Sequence, residues 1–398
     1  MASDATTPLA GVRAVEISSF VAVPLAGMTL AQLGCEVTRV DPVGGAADYR
    51  RWPLADSGDS IYWAGLNKGK RSMAVDFRSA EGQELVQQLV VDTGILITNV
   101  VGPQWHSYEQ LSALRPDLIH LEVSGRFDGS TGVDYTVNAG IGFPMVTGPD
   151  TEEGPINHVL PAWDVTCGLY ATLGILAALR TREATGQGSR IRLPLEDVAL
   201  ATAGNLGFLS EPMITGTQRQ RLGNAIYGQY GQNFVSGDGV WFMLVALTPR
   251  HFRELAELTG TAKAIDALAD ALGVDFTDEG SRFRHREALD GLFSVWFSDR
   301  GADEIAAGLG STSVLWERYR TFAETAADQR VTANPLFSAL RQPRIGDYLA
   351  PGLPLSVNGT RSAPVPAPAL GDDTAEVLAE LGVPAADVQR LTQAGIVR

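Results

Sequence analysis

Asp164 stands where a carboxylate can do covalent chemistry. It follows Asn157-His158-Val159-Leu160-Pro161-Ala162-Trp163 and opens an apolar run from Val165 to Leu179, closed by Thr185-Gly186-Gln187-Gly188. Gly168, Ala171, Gly174 and Ala178 recur at spacings of three or four, so the run predicts a helix with one face stripped of bulk, where other backbone packs closely. A helix without a polar face belongs in a core, which carries Asp164 to the edge of that core. Two readings of the residue stay open. As an N-cap, its carboxylate accepts N–H bonds from the first helical turn. As a nucleophile, it is kept ionised by the same donors and attacks an activated acyl group. Cys167, three residues on, is another candidate nucleophile.

A second chemical feature is the cation-rich stretch Leu66-Asn67-Lys68-Gly69-Lys70-Arg71-Ser72 with Arg78 beyond it. Lys68, Lys70, Arg71 and Arg78 can balance phosphates, and Gly69 lets backbone come close. The alternative is a solvated turn that pairs with nearby acids. Arg51 and His158 are candidate donors to a substrate carboxylate, or structural residues.

These residues need a frame, and the alternation of elements supplies one. Val12 to Ser18 alternates like a strand, Pro24 to Leu33 reads as a helix stopped by Gly34, and Glu36 to Pro42 is a second strand. Such a βαβ unit implies parallel pairing. Further strands are expected at Met73–Phe77, Ile95–Val100, Leu118–Val123 and Ser189–Leu195, with helices at Ser79–Val91 and Tyr108–Leu114. The fold class is α/β: a large doubly wound parallel-sheet domain plus a smaller α+β domain. The first turn, Ser18-Ser19-Phe20-Val21-Ala22-Val23, lacks G-x-G-x-x-G, which disfavours a dinucleotide dehydrogenase. The expected division is a large domain over 1–204, a connector over 205–232, a small domain over 233–320, and a return connector with C-terminal helices over 321–398. The tract Ala363-Pro364-Val365-Pro366-Ala367-Pro368 is stiff and extended, a connection by composition.

Composition narrows the function. The 398 residues carry a net charge of −15, which argues against nucleic-acid and anionic-membrane partners, so an anionic ligand needs a local basic site. Two cysteines, Cys35 and Cys167, suit buried thiols in a reducing cytoplasm. Five histidines without paired spacing give no metal site. The first eight residues lack a basic, apolar leader, and no apolar run is expected to reach the roughly 20 residues of a membrane span.

Several stretches together resemble the class III CoA-transferases. They are Pro24-Leu25-Ala26-Gly27-Met28, Arg39-Val40-Asp41-Pro42, Leu66 to Ser72, Asp134-Tyr135-Thr136-Val137-Asn138, Asp164, Thr185-Gly186-Gln187-Gly188, and Leu370-Gly371 with Thr374. The resemblance runs the length of the chain in the family's order. Tyr49-Arg50-Arg51-Trp52-Pro53, Trp63 to Asn67, Val133 to Asn138 and Asn157 to Asp164 look like a branch that moves CoA between the two carboxylates of one diacid. The resemblance implies Asp164 as the catalytic residue. It implies Val21, Ala22, Arg39, Lys70, Arg71, Arg78 and Asn99 against CoA, and Arg51, Tyr135, Asn138 and His158 against the acyl group. It also implies an interlocked homodimer, no cofactor bound permanently, and coenzyme A as part of the substrate. Two departures stand out: Val133 occupies the place of a proton-transfer histidine, and Asp373 replaces a histidine near the C-terminus. The rivals are intermolecular CoA transfer between small dicarboxylic acids and 2-methylacyl-CoA racemisation.

Overall fold

The computed structural model describes residues 7–102 and 104–398; residues 1–6, which carry most of the leader reading, and Pro103 lie outside them. In chain order the elements are β1 (Arg13–Ile17), α1 (Ala22–Gln32), β2 (Glu36–Asp41), α2 (Ile61–Leu66), β3 (Arg71–Ala74), α3 (Ala80–Thr93), β4 (Ile95–Thr98), α4 (Tyr108–Leu114), β5 (Ile119–Ser124), α5 (Asp134–Ile141), α6 (Phe143–Val146), α7 (Ala162–Thr185), β6 (Ser189–Pro194) and α8 (Leu195–Asn205). There follow α9 (Ser210–Thr215), β7 (Tyr230–Val235), β8 (Trp241–Ala246), α10 (Pro249–Thr259), α11 (Ala262–Leu272), α12 (Glu279–Arg284), α13 (Arg286–Ser298), α14 (Ala302–Gly310) and β9 (Leu315–Arg318). The chain closes with α15 (Phe322–Ala327), α16 (Gln329–Thr332), β10 (Phe337–Gln342), β11 (Gly346–Pro351), α17 (Thr374–Glu380) and α18 (Ala385–Gln393).

Six strands form one sheet in the order β3-β2-β1-β4-β5-β6, every pair parallel. This is the doubly wound α/β arrangement the alternation of elements predicts. The order reverses between β1 and β4, so the loops after those strands flank the crevice where such sheets bind ligands. The chain separates into two compact units, one made of 1–141, 159–210 and 329–398, the other of 142–158 and 211–328. The second unit is α+β: an antiparallel sheet β7-β8-β9 with helices α10 to α14 over a core that includes Phe234, Phe242, Phe293 and Phe297.

Helix α7 runs for 24 residues, longer than the sequence reading allowed, and is apolar enough to cross a membrane by length and composition alone. Here it packs in protein, against α1, α5, α8, β5 and β6. Gly168 makes the approach to α1 possible: a Cβ there would lie 2.7 Å from the carbonyl oxygen of Ala22. The small-residue face of α7 thus sets where the start of α1 sits.

The third strand is shorter than the Met73–Phe77 expected, because Val75 leaves the parallel ladder for an antiparallel bridge with Val397. The C-terminal segment covers this sheet edge. Asp373 Oδ2 accepts from the Ser72 N–H at 2.7 Å, the Asp373 N–H donates to the Ser72 carbonyl at 3.0 Å, and Thr374 Oγ1 accepts from the Ala74 N–H at 3.1 Å. That gives Asp373 a structural task, satisfying an edge strand's backbone that would otherwise invite another chain.

Candidate active site

Asp164 is not the cap of its helix. Helix α7 begins at Ala162 after Pro161, which offers no side-chain cap, so Asp164 is the third helical residue. The cap comes from α5: Asp134 Oδ2 accepts from the N–H groups of Trp163 at 2.8 Å and Asp164 at 3.2 Å. The N-cap reading is corrected on this ground, since the helix starts at Ala162, two residues before the acid, and a distant aspartate takes the donors. The Asp164 carboxylate is left half-buried and, among the described residues, without a hydrogen bond. Burial, with Asp134 adding like charge and Arg51 opposing it, pushes its pKa up to about 7.

Two loops close on this carboxylate. Arg51 lies with its guanidinium 5.5 Å from the Phe20 ring centre and 5.1 Å from that of Tyr62. Among the described residues no carboxylate lies at ion-pair distance from it. Its charge acts on Asp164 instead. Burial, and after it the nearby charges of Arg51, Asp164 and Asp48, leave the Tyr62 hydroxyl at about 12, so it stays protonated and available to donate. Local bonding holds this wall rigid. Ser60 caps α2, accepting from the Trp63 N–H at 3.0 Å while donating to the Arg51 carbonyl, and the Ile61 N–H donates to the Pro53 carbonyl at 2.9 Å. Phe20 adopts φ of 69°, a left-handed conformation a phenylalanine takes only under constraint, and its N–H donates to Asp48 Oδ2 at 2.9 Å.

The expected CoA residues divide. Arg39 and Lys70 are buried and fully engaged. Arg39 forks onto Asp41 at 2.9 and 3.0 Å and reaches Asp48 at 3.1 Å, Asn67 at 3.0 Å and the Ser18 carbonyl at 3.2 Å. Lys70 Nζ donates to Glu16 and the Pro24 carbonyl at 2.9 Å, and to Asn67 at 2.8 Å. Arg71 sits toward the N-terminal ends of the strands, away from the crevice, held by Glu36 at 3.0 Å and Glu380 at 2.8 Å. Arg78, paired with Asp76 at 3.1 Å, is the member of this cationic stretch whose side chain is almost wholly exposed. The stretch therefore does not form one basic cluster. The turn before β3 buries Lys68 and Lys70, β3 carries Arg71 at its start, and the turn after β3 carries Arg78 into solvent.

At the crevice end, Asn99 bonds both ways with Ser19, accepting from its N–H at 3.0 Å and donating to its carbonyl at 2.8 Å. It fixes the turn that leads to Val21 and Ala22. Those two residues start α1, whose N-terminus has no side-chain cap and no acid in its first turn, an arrangement suited to an anionic group. Of the expected acyl-group residues, Asn138 is buried and accepts from Trp163 Nε1 at 3.1 Å, so it anchors the start of α7. Tyr135 is half exposed, with its hydroxyl 3.3 Å from the Val159 carbonyl. His158 belongs to the second compact unit. Cys167 is fully buried, and burial with the charge of Asp164 pushes its thiol to about 12, which removes it as a nucleophile.

The structure adds two residues the sequence reading left out. Tyr62 is not singled out in the sequence, and Asp134 stands there only within the Asp134 to Asn138 stretch, with no role assigned to it. An acid four residues before Asn138, ahead of a helix whose cap position is a proline with no side-chain acceptor, is the signal that would have found Asp134. Together the groups form an ionisable carboxylate, a cation with no acid at ion-pair distance among the described residues, and a neutral phenol beside an uncapped helix start. That set can carry an acyl group on Asp164 while holding a second carboxylate.

Known proteins share this frame. The profile of CoA-transferase family III matches residues 9–374. The 2-methylfumaryl-CoA isomerase of Chloroflexus aurantiacus is 46% identical over 98% of this chain and 97% of its own. The succinyl-CoA–D-citramalate CoA-transferase of the same organism is 29% identical over 94% of each chain. Among solved structures, a CaiB/BaiF family protein from Brucella suis superposes with a TM-score of 0.79 at 27% identity, covering 94% of this chain and 99% of that one.

Proposed function

The chain belongs to CoA-transferase family III, and we propose that it isomerises 2-methylfumaryl (mesaconyl)-CoA, moving coenzyme A from the C1 to the C4 carboxylate of one diacid. The observation that carries the mechanism is the unbonded, half-buried Asp164 carboxylate facing Arg51. Ionised Asp164 attacks the thioester carbon; the new C–O bond forms as the C–S bond breaks, giving a mixed anhydride and a CoA thiolate. The thiolate returns to the aspartyl carbonyl, making an aspartyl-CoA thioester and freeing the diacid. The diacid's other carboxylate then attacks that thioester, and thiolate attack on the new anhydride releases the isomeric CoA ester. Thioester energy is kept throughout, which requires that water stay out.

Arg51 is the residue we assign to the carboxylate not in thioester linkage, with Tyr135 and His158 as further candidates for the acyl group. For CoA, we assign the start of α1 at Val21 and Ala22, the Asn99 turn and exposed Arg78, with Arg39 and Lys70 supporting the loops from behind. Arg71 is left to the C-terminal helix α17. Coenzyme A enters as part of the substrate. The protein works in the cytoplasm as a homodimer; in support, Leu169, Tyr170 and Leu173 on α7 are each about half exposed, an apolar strip suited to a second copy.

Mass spectrometry of the protein incubated with mesaconyl-CoA tests this reading. The expected result is a CoA adduct on Asp164, with no incorporation of free labelled mesaconate or succinate into CoA ester during turnover. Incorporation would assign the intermolecular transfer known from the citramalate enzyme. Uptake of deuterium at the α-carbon would assign racemisation, against which Val133 offers no base.

A further inference from the structure

We propose that Asp134 is a positioning residue for the reaction: it caps α7 with a carboxylate so that Asp164 gives up its own charge more readily each time it takes an acyl group. The proposal rests on the aspartyl mechanism above. Its geometry is unusual for a cap. Asp134 comes from a different helix, α5, is 3% exposed, and bonds through one oxygen, Oδ2, to the N–H groups of Trp163 and Asp164. The other oxygen, Oδ1, is buried with no hydrogen-bond partner among the described residues. A neutral serine or threonine would cap as well and leave no second buried polar atom unserved. The carboxylate is therefore costly for a purely structural task.

The groups facing Asp164 show what the charge does. Asp134 approaches from α5, Arg51 from the 49–53 loop and Tyr62 from α2, while Cys167 on α7 itself is neutral. Helix α1 brings no titratable side chain; of the two acids on α8, Glu196 is taken up by Arg126 at 3.0 Å and Asp197 is not among the charges acting on Asp164. The His120, Glu122, Arg190 and Arg192 side chains of β5 and β6 interact among themselves and with Glu109. Asp134 is thus the like charge that acts on the nucleophile. When Asp164 attacks, its oxygen bonds to the acyl carbon and the electron pair of the breaking C–S bond leaves on the CoA sulfur; no proton moves. One of two adjacent negative charges departs toward sulfur, and the repulsion is relieved in the transition state and in both covalent intermediates. The same repulsion, added to burial, moves Asp164 upward.

The test is Asp134→Asn, whose amide oxygen still accepts both N–H groups while the charge is gone; Asp134→Ser serves as a second neutral cap should the asparagine variant not fold. The acid limb of the pH profile of kcat/KM should move to lower pH by about one unit, and the fraction of enzyme trapped as CoA adduct should fall severalfold. A residue that only caps predicts a limb at the wild-type pH and unchanged adduct, and that result overturns the proposal. Wild-type enzyme measured alongside separates the two readings: no adduct on wild-type Asp164 sinks the aspartyl mechanism itself, whereas wild-type adduct with unshifted neutral-cap variants sinks only the role of Asp134.

Discussion

Two sets of charges meet at the crevice end of the sheet, and they are arranged in opposite ways. Around Arg39 and Lys70, each cation has anionic and carbonyl partners at hydrogen-bond distance, and the carboxylates of Glu16, Asp41 and Asp48 are drawn into the same network. Around Asp164, a carboxylate stands unbonded, a like charge sits at the same helix start, and the cation opposite rests on two aromatic rings instead of an acid. Buried ion networks fix geometry, because removing one member strands the others. Unbalanced charge at a crevice is costly to the fold, and is kept where a reaction moves that charge. The difference assigns architecture to the first set and chemistry to the second, although the sequence marks the first as the more conspicuous.

The largest effect comes from removing the unbalanced charge. Asp164→Asn should cut turnover by more than about 10⁴-fold, as loss of a covalent nucleophile does, and abolish the CoA adduct. The same change should stabilise the fold. The folded-state pKa of Asp164 is raised from 3.8 to about 7, so between those values the native state holds a proton the unfolded chain has lost. Stability from that proton is lost as pH climbs through about 7. At pH 8 the wild type bears the full penalty, at most about 4 kcal/mol, and the asparagine variant bears none. Thermal melts should show the variant ahead at pH 8 and level with the wild type near pH 4. A variant less stable at pH 8 would place Asp164 among the structural charges.

The closed network predicts the reverse pattern. Arg39→Met leaves Asp41, Asp48 and Glu16 facing one another with Lys70 alone, which should cost about 3–5 kcal/mol in urea unfolding. Activity lost here should follow the folded fraction. An unchanged unfolding midpoint with lost activity would put Arg39 against the substrate and erase the distinction.

Why the sequence misleads at this point is physical. The βαβ order, the parallel sheet and the long core helix were legible because hydrophobic periodicity and turn residues determine them locally; Gly34, Gly94 and Gly186 close elements where their neighbours predict. Asp164 was legible as a residue that matters, on the strength of family resemblance and its place before an apolar helix. What Lys68, Lys70, Arg71 and Arg78 do was not legible, because only Arg71 lies on a strand, and the turns before and after β3 bury Lys68 and Lys70 while leaving Arg78 in solvent, with no local pattern to announce it. Asp134 as a cap from another helix, Tyr62 beside Asp164, and the docking of Asp373 on Ser72 depend on contacts 30 to 301 residues apart, or on packing with no local signature. The membrane-length expectation failed for the opposite reason: the apolar run ends at Leu179, yet α7 begins at Ala162 and continues through Arg180, Arg182 and Glu183 to Thr185, where Gly186 stops it as the sequence predicts.

Arg51 is where the two kinds of charge can be told apart most finely. If it is held for a substrate carboxylate, Arg51→Gln should lower kcat/KM for the diacid thioester by about 1.5–3 kcal/mol, roughly 10- to 150-fold, the worth of a charge-assisted hydrogen bond. Stability should hardly change, since no buried acid is stranded. The pH profile supplies the sharper reading. Arg51 favours the ionised form of Asp164, so its removal should carry the acid limb to higher pH, opposite in direction to a neutral cap at position 134. A CoA thioester with no second carboxylate would lose nothing at Arg51 beyond that shift, because at pH 9, where Asp164 is ionised in both proteins, only the contact to the second carboxylate separates them. Comparing the two thioesters at pH 9 therefore isolates the contact. Equal losses for both would reduce Arg51 to a tuner of Asp164, and leave the second carboxylate to be held elsewhere.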